Sequence, residues 1–107
     1  MTVTTLYDKE FDILYISKNN KKTRFSVGVS DFFILDIGFK NNVVGLEILG
    51  ASRNLNIHRK QLENIKKANV RTFTKNKKFM ILFYIEFEKE KIESRITIPI
   101  GTRVRKR

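Results

Sequence analysis

The sequence predicts a β-rich α+β domain, an antiparallel meander and hairpins with one amphipathic helix. Three observations carry this expectation. Short runs rich in β-branched and aromatic residues recur, polar turns separate them, and one stretch spaces its apolar residues as a helix does. At 107 residues, with 41% hydrophobic content and nine Phe, the chain has enough apolar mass for one packed domain. It divides into a β-meander half over 1–52, a helix-plus-hairpin half over 53–102 and a basic tail over 103–107.

"TVTTLY" and "ILYIS" flank the polar "DKEFD", a hairpin in which Asp8 is placed to form an Asx turn. "TRFSVGV" follows the polar turn "KNNKK" as a third strand. "FILDIGFKNNVVGLEIL" reads as a hairpin turning at Asn41-Asn42, residues that tolerate positive φ. That turn pairs Phe39 with Val44, Ile37 with Leu46 and Leu35 with Ile48 on one apolar face, the pattern that specifies a register. The other face then sets Asp36 opposite Glu47, between Gly38 and Gly45.

"NIHRKQLENIKKA" is the expected helix, capped by Asn56. At about 100° per residue His58, Leu62, Ile65 and Ala68 share one side, and Arg59, Lys60, Glu63, Lys66 and Lys67 the other. "VRTFT" is then a short strand and "KNKK" a basic turn. "FMILFYIEFE" and "KIESRITIPI" form a second long hairpin around Lys89-Glu90. It aligns Phe87–Ile92, Ile85–Ser94, Phe83–Ile96 and Ile81–Ile98, with Pro99 at a strand end where a lost donor is tolerated. The tail "RVRKR" is expected to be unstructured.

Tyr7-Asp8, Asp12, Leu14-Tyr15-Ile16, Ile34-Leu35-Asp36, Val44-Gly45-Leu46-Glu47-Ile48-Leu49 and Ala51-Ser52 together resemble the family called domain of unknown function 2283. The resemblance covers roughly the first half of the chain. It departs at Lys40-Asn41-Asn42, where the family usually has an acidic, Gly-containing turn. It brings no established activity. Genes of that family often neighbour small toxin-like genes, so the resemblance implies a toxin–antitoxin role by analogy.

Charge is the remaining functional signal. Residues 1–52 hold six bases and six acids, and residues 53–107 hold 16 bases and five acids, the whole of the net +11. Such asymmetry bears on partners. Arg59, Lys60, Lys66 and Lys67 on the helix, Lys75, Lys77 and Lys78 in one turn, and Arg103, Arg105, Lys106 and Arg107 in the tail are the candidate nucleic-acid-binding residues. Phe73 and Tyr84 are the candidate stacking aromatics. No helix-turn-helix or RNP pattern is present, so such binding is expected to be sequence-nonspecific and salt-sensitive.

The chemistry-bearing residues point away from an enzyme. There is no Cys, and the one His, His58, has no second imidazole to share a metal, so it reads as a half-buried packing residue. No serine stands in a nucleophile elbow, and no Gly-rich loop cradles a phosphate. Two carboxylates face to face suit Mg²⁺ or Ca²⁺, with Asp8 and Asp12 as further ligands. In so basic a chain the sequence favours instead a Lys or Arg bridging Asp36 and Glu47, with Arg24 the nearby supplier. No cofactor is implied. The expectation is a small, non-enzymatic, cytoplasmic binding module for nucleic acid, with no membrane span. The alternative is a protein-protein or oligomerisation module.

Overall fold

The computed structural model describes residues 3–18, 21–99 and 105–106. The β-rich α+β expectation holds. Strands β1 (Val3–Asp8), β2 (Ile13–Lys18), β3 (Phe25–Gly28), β4 (Phe33–Ile37), β5 (Val43–Leu49) and β9 (Arg105–Lys106) form one antiparallel sheet in the order β1-β2-β5-β4-β3-β9. Strands β6 (Lys67–Lys75), β7 (Lys78–Glu86) and β8 (Lys91–Pro99) form a second, three-stranded sheet. Two short helices, α1 (Ala51–Leu55) and α2 (Arg59–Leu62), lie between the sheets in sequence.

Alternation decides which side chains fill the core. Leu14, Ile16, Leu46 and Ile48 from the larger sheet and Val70, Ile81, Phe83 and Ile85 from the smaller one are fully buried in one cluster. The rings of Phe33 and Phe83 meet across the layers at 5.8 Å, tilted by 55°, an arrangement favoured over face-to-face stacking.

Several expectations are corrected. The single helix from Asn56 does not form. Asn56 ends α1 in the left-handed conformation at φ 55°, and Ile57 turns into the core with 5% exposure. Its downstream end is strand: Ala68, Val70 and Thr72 alternate inward against β7, and that period of two prevails over the helical spacing. His58 is not a packing residue. It is exposed, and its Nδ1 accepts the Lys60 backbone N–H at 3.2 Å, capping α2.

Both long hairpins pair two residues away from the expected register. In the first, Leu35 faces Leu46 and Asp36 faces Gly45; the turn runs from Gly38 to Asn42 through a 3₁₀ segment with Lys40 at φ 57°. In the second, Phe87 N–H donates to the Glu90 carbonyl at 2.7 Å, so the tip is Glu88-Lys89 and Ile85 faces Ile92. A slip of two keeps side chains on their faces, so most of the buried set survives while the partners change; in the first hairpin a further shift at Ile37, which faces Val43, ends this, and Phe39 leaves the buried set. The tail is corrected in part. Arg105 and Lys106 pair with Gly28 and Val27, giving the outer edge of β3 backbone partners. Arg103 and Arg107 lie outside the described residues.

The first hairpin forms as expected, with Asp8 Oδ1 accepting the N–H groups of Glu10 and Phe11. The basic turn forms too, with Asn76 and Lys77 both at positive φ (51° and 59°), as a two-residue hairpin loop requires. Pro99 ends β8, on the sheet's edge.

Candidate nucleic-acid interface

Strand β2 has two differently charged ends. Its start adjoins the turn carrying Asp8, Glu10 and Asp12; its end, Lys18, leads into Lys21, Lys22 and Arg24. The basic end is built by close packing. Arg24 N–H donates to the Ile37 carbonyl at 2.7 Å, tying the segment to β4. The Lys22 carbonyl lies 2.9 Å from where a Cβ on Gly38 would sit, so only glycine lets this segment approach the hairpin turn.

Between this segment, the turn and β6 lies a cleft of about 800 Å³. Among the described residues, Lys18, Lys21, Lys22, Arg24 and Arg71 line it together with Phe39, and no acidic side chain does. Four of these five cations come from the half of the chain whose charges sum to zero. The signal that could have found them is "KNNKKTR", four bases in seven residues, divided between the polar turn "KNNKK" and the strand "TRFSVGV". Phe39, expected in the apolar hairpin face, is instead 72% exposed on the rim of the cleft.

The candidate residues from the second half separate into two groups. Lys67 and Lys75 stand at opposite ends of β6, eight residues or about 26 Å apart at ordinary strand rise. That is most of the molecule's 38 Å length. Lys75, Lys77 and Lys78 lie at the end of β6 beyond Arg71, on the cleft's side. In the three-stranded sheet, Arg71, Leu82 and Arg95 form one row, and the rows from there to Lys75 contain no acid. Glu86 and Glu93 occupy the rows at the far end. Phe73 is 42% exposed on the basic end, whereas the ring of Tyr84 lies under the Lys91 ammonium at 4.7 Å.

Arg59, Lys60, Lys66 and Lys67 belong to that far end, and Arg59 is already engaged. One guanidinium nitrogen donates to the Lys9 carbonyl at 2.8 Å and another sits 3.8 Å from Asp12. Asp12 is the centre of a network joining the first turn to α1. Its Oδ1 accepts the Tyr7 hydroxyl at 2.6 Å and the Ser52 N–H at 3.0 Å; its Oδ2 accepts the Ser52 hydroxyl at 2.7 Å. Burial pushes the Asp12 carboxyl up, but the hydrogen bonds from Tyr7 and Ser52 and the Arg59 charge outweigh it and hold it below its ordinary value. Burial, and then the bond to Asp12, raise the Tyr7 phenol from 10.0 to about 12. A raised folded-state value means native protein keeps a proton that the unfolded chain releases. This stabilisation is complete below pH 10 and is lost as pH rises through about 12. Thermal denaturation from pH 9 to 12 is therefore expected to show a steeper alkaline loss for wild type than for Tyr7→Phe.

Asp36 and Glu47 do not form a pair. Asp36 lies over Gly45, takes the Ser26 hydroxyl at 2.7 Å and is buried to 9% exposure. Glu47 faces Ile34 and Tyr15 instead. The Ser26 hydroxyl is a hydrogen-bond partner of Asp36. Asp8 and Asp12, committed at the other end of β2, do not complete a cation site there. No helix among the described residues is long and apolar enough to cross a membrane.

Comparison with known proteins places only part of the chain. Residues 5–52 match the family described as "Protein of unknown function (DUF2283)", so the resemblance read from the first half holds over that half. Tyr7, Asp12 and Ser52 all fall inside the match; Arg59, Arg71 and the second sheet fall outside it. A Methanosarcina mazei protein named "Putative hypoxanthine phosphoribosyltransferase" is 42% identical over 60 residues, which are 56% of this chain and 48% of that protein. The chain thus spans about half the length of that relative. No solved structure matches.

Proposed function

We propose that the protein is a small binding module for the phosphate backbone of nucleic acid, acting through the cleft lined by Lys18, Lys21, Lys22, Arg24 and Arg71. One observation carries the reading: among the described residues, five cations converge on a concave site with no carboxylate among them. Low-dielectric walls around like charges focus the field and hold a polyanion's phosphates. The acid-free end of the second sheet, with Lys75, Lys77 and Lys78, extends the same field.

Fluorescence anisotropy with labelled thymidine and uridine 20-mers at 50 and 200 mM NaCl tests this. Five phosphate contacts on a single strand correspond to a slope of about −3.5 in log K against log salt, or about 100-fold weaker binding across that range. Absence of binding at 50 mM overturns the proposal. The name of the Methanosarcina mazei protein supplies another arm, in which hypoxanthine and a phosphoribosyl donor are added as competitors. Displacement by either, together with turnover, favours an enzyme. A protein partner is the second reading, supported by edge strand β1, where Leu6 is 65% exposed, and by Phe11, 67% exposed in the following turn. A stable dimer in light scattering that Leu6→Lys dissolves favours it.

A further inference from the structure

Phe39 is the most exposed large hydrophobic residue among those described, and it stands on the rim of the basic cleft. We infer that Phe39 is a stacking platform for an unpaired base, so that the cleft takes single-stranded nucleic acid in preference to duplex. The inference rests on the cleft reading and adds to it which form of nucleic acid is bound.

Three features support a built platform. First, the turn that presents the ring is held from several sides. The Phe39 carbonyl accepts both the backbone N–H of Asn42, at 3.2 Å, and its side-chain amide, at 3.1 Å. Gly38 N–H donates to the Asn42 carbonyl at 2.8 Å. A ring on a fixed turn loses little freedom when a base settles on it. Second, ring and cations are mechanically one unit, because the Lys22 carbonyl packs onto Gly38 and Arg24 is bonded to Ile37. Phosphate sites and an aromatic face therefore keep a constant spacing. Third, the Lys40 ammonium lies over the ring, 5.7 Å from its centroid, adding a cation to the platform. This combination of a basic groove and an exposed aromatic is how strands are held without sequence readout, since every base offers a π-face. In a duplex the base faces are stacked on one another and out of reach.

The test compares a thymidine 12-mer, the same sugar-phosphate chain without bases, and a 12-base-pair duplex, all at 50 mM NaCl. Wild type is expected to bind the 12-mer about tenfold or more tighter than the abasic chain. Phe39→Ala is expected to lose that difference while binding the abasic chain as wild type does. The chain contains no Trp, so Phe39→Trp supplies a single reporter, whose fluorescence is expected to be quenched by the 12-mer and not by the abasic chain. Equal binding of the 12-mer and the abasic chain by wild type, or tighter binding of the duplex, overturns stacking and leaves the cleft reading standing. No binding of any of the three overturns the cleft reading itself.

Discussion

Replacing Lys21 and Lys22 by Glu together is expected to weaken binding of single-stranded nucleic acid on the order of 100-fold at low salt. Each reversal removes an attraction of about 1 kcal/mol and adds a repulsion of similar size, and the sum is reduced by screening. Both side chains are exposed, and the Lys22 contact with Gly38 is made by the backbone carbonyl. The fold should therefore be retained, which far-ultraviolet circular dichroism checks. With two fewer phosphate contacts, the salt slope should become shallower by about 1.4.

Location is separated from total charge by a matched control. Lys60→Glu with Lys66→Glu changes the net charge by the same amount, but at the end of the molecule where Arg59 joins Lys9 and Asp12. A cleft-centred interaction predicts only a few-fold loss there, through the general field. Equal losses from the two pairs would mean that the polyanion senses net charge alone, and the cleft would lose its special role.

How much of this was legible in the sequence depends on the range of the physics involved. The faces of the strands were legible, because Leu35, Ile37, Leu46 and Ile48 alternate and all end up buried. Their partners were not, because the register is set by a turn with Lys40 in a left-handed conformation, a position that neither Gly nor Asn occupies. The helix misreading has a similar origin: Leu62, Ile65 and Ala68 fit a helical stripe, yet the pairing of Lys67–Lys75 with β7 reclaims the last of them for the sheet. The cleft was hidden by averaging. In a count over residues 1–52 the six acids cancel the six bases, although β2 holds Asp8, Glu10 and Asp12 at one end and Lys18, Lys21, Lys22 and Arg24 at the other. Arg71 joins them only through tertiary packing.

The largest stability effect is expected at Asp12. Asp12→Ala removes the acceptors for the Tyr7 hydroxyl and for both donors of Ser52, 40 residues away in the chain. It also places alanine at φ 56°, a region that costs it roughly 1 kcal/mol and that Asp or Asn tolerates better. With these donors left unpaired in a part-buried setting, the loss should be about 3–5 kcal/mol. In a domain of this size, that lowers Tm by on the order of 20 °C. Asp12→Asn keeps an acceptor and the backbone conformation but not the charge, so it should cost less. The two variants also differ from wild type in acid. The wild-type carboxyl is held below its ordinary 3.8, so its stabilisation is present above that pH and is lost as pH falls through the lower folded-state value. Asp12→Asn should lack this acid limb, and the difference in Tm between the two proteins should shrink below pH 4. If Asp12→Ala melts within a few degrees of wild type, the Tyr7–Asp12–Ser52 network is not what fastens the first turn to α1. The Ala51 N–H bond to the Asp12 carbonyl, at 2.8 Å, would then be the fastening that matters, because it survives the substitution.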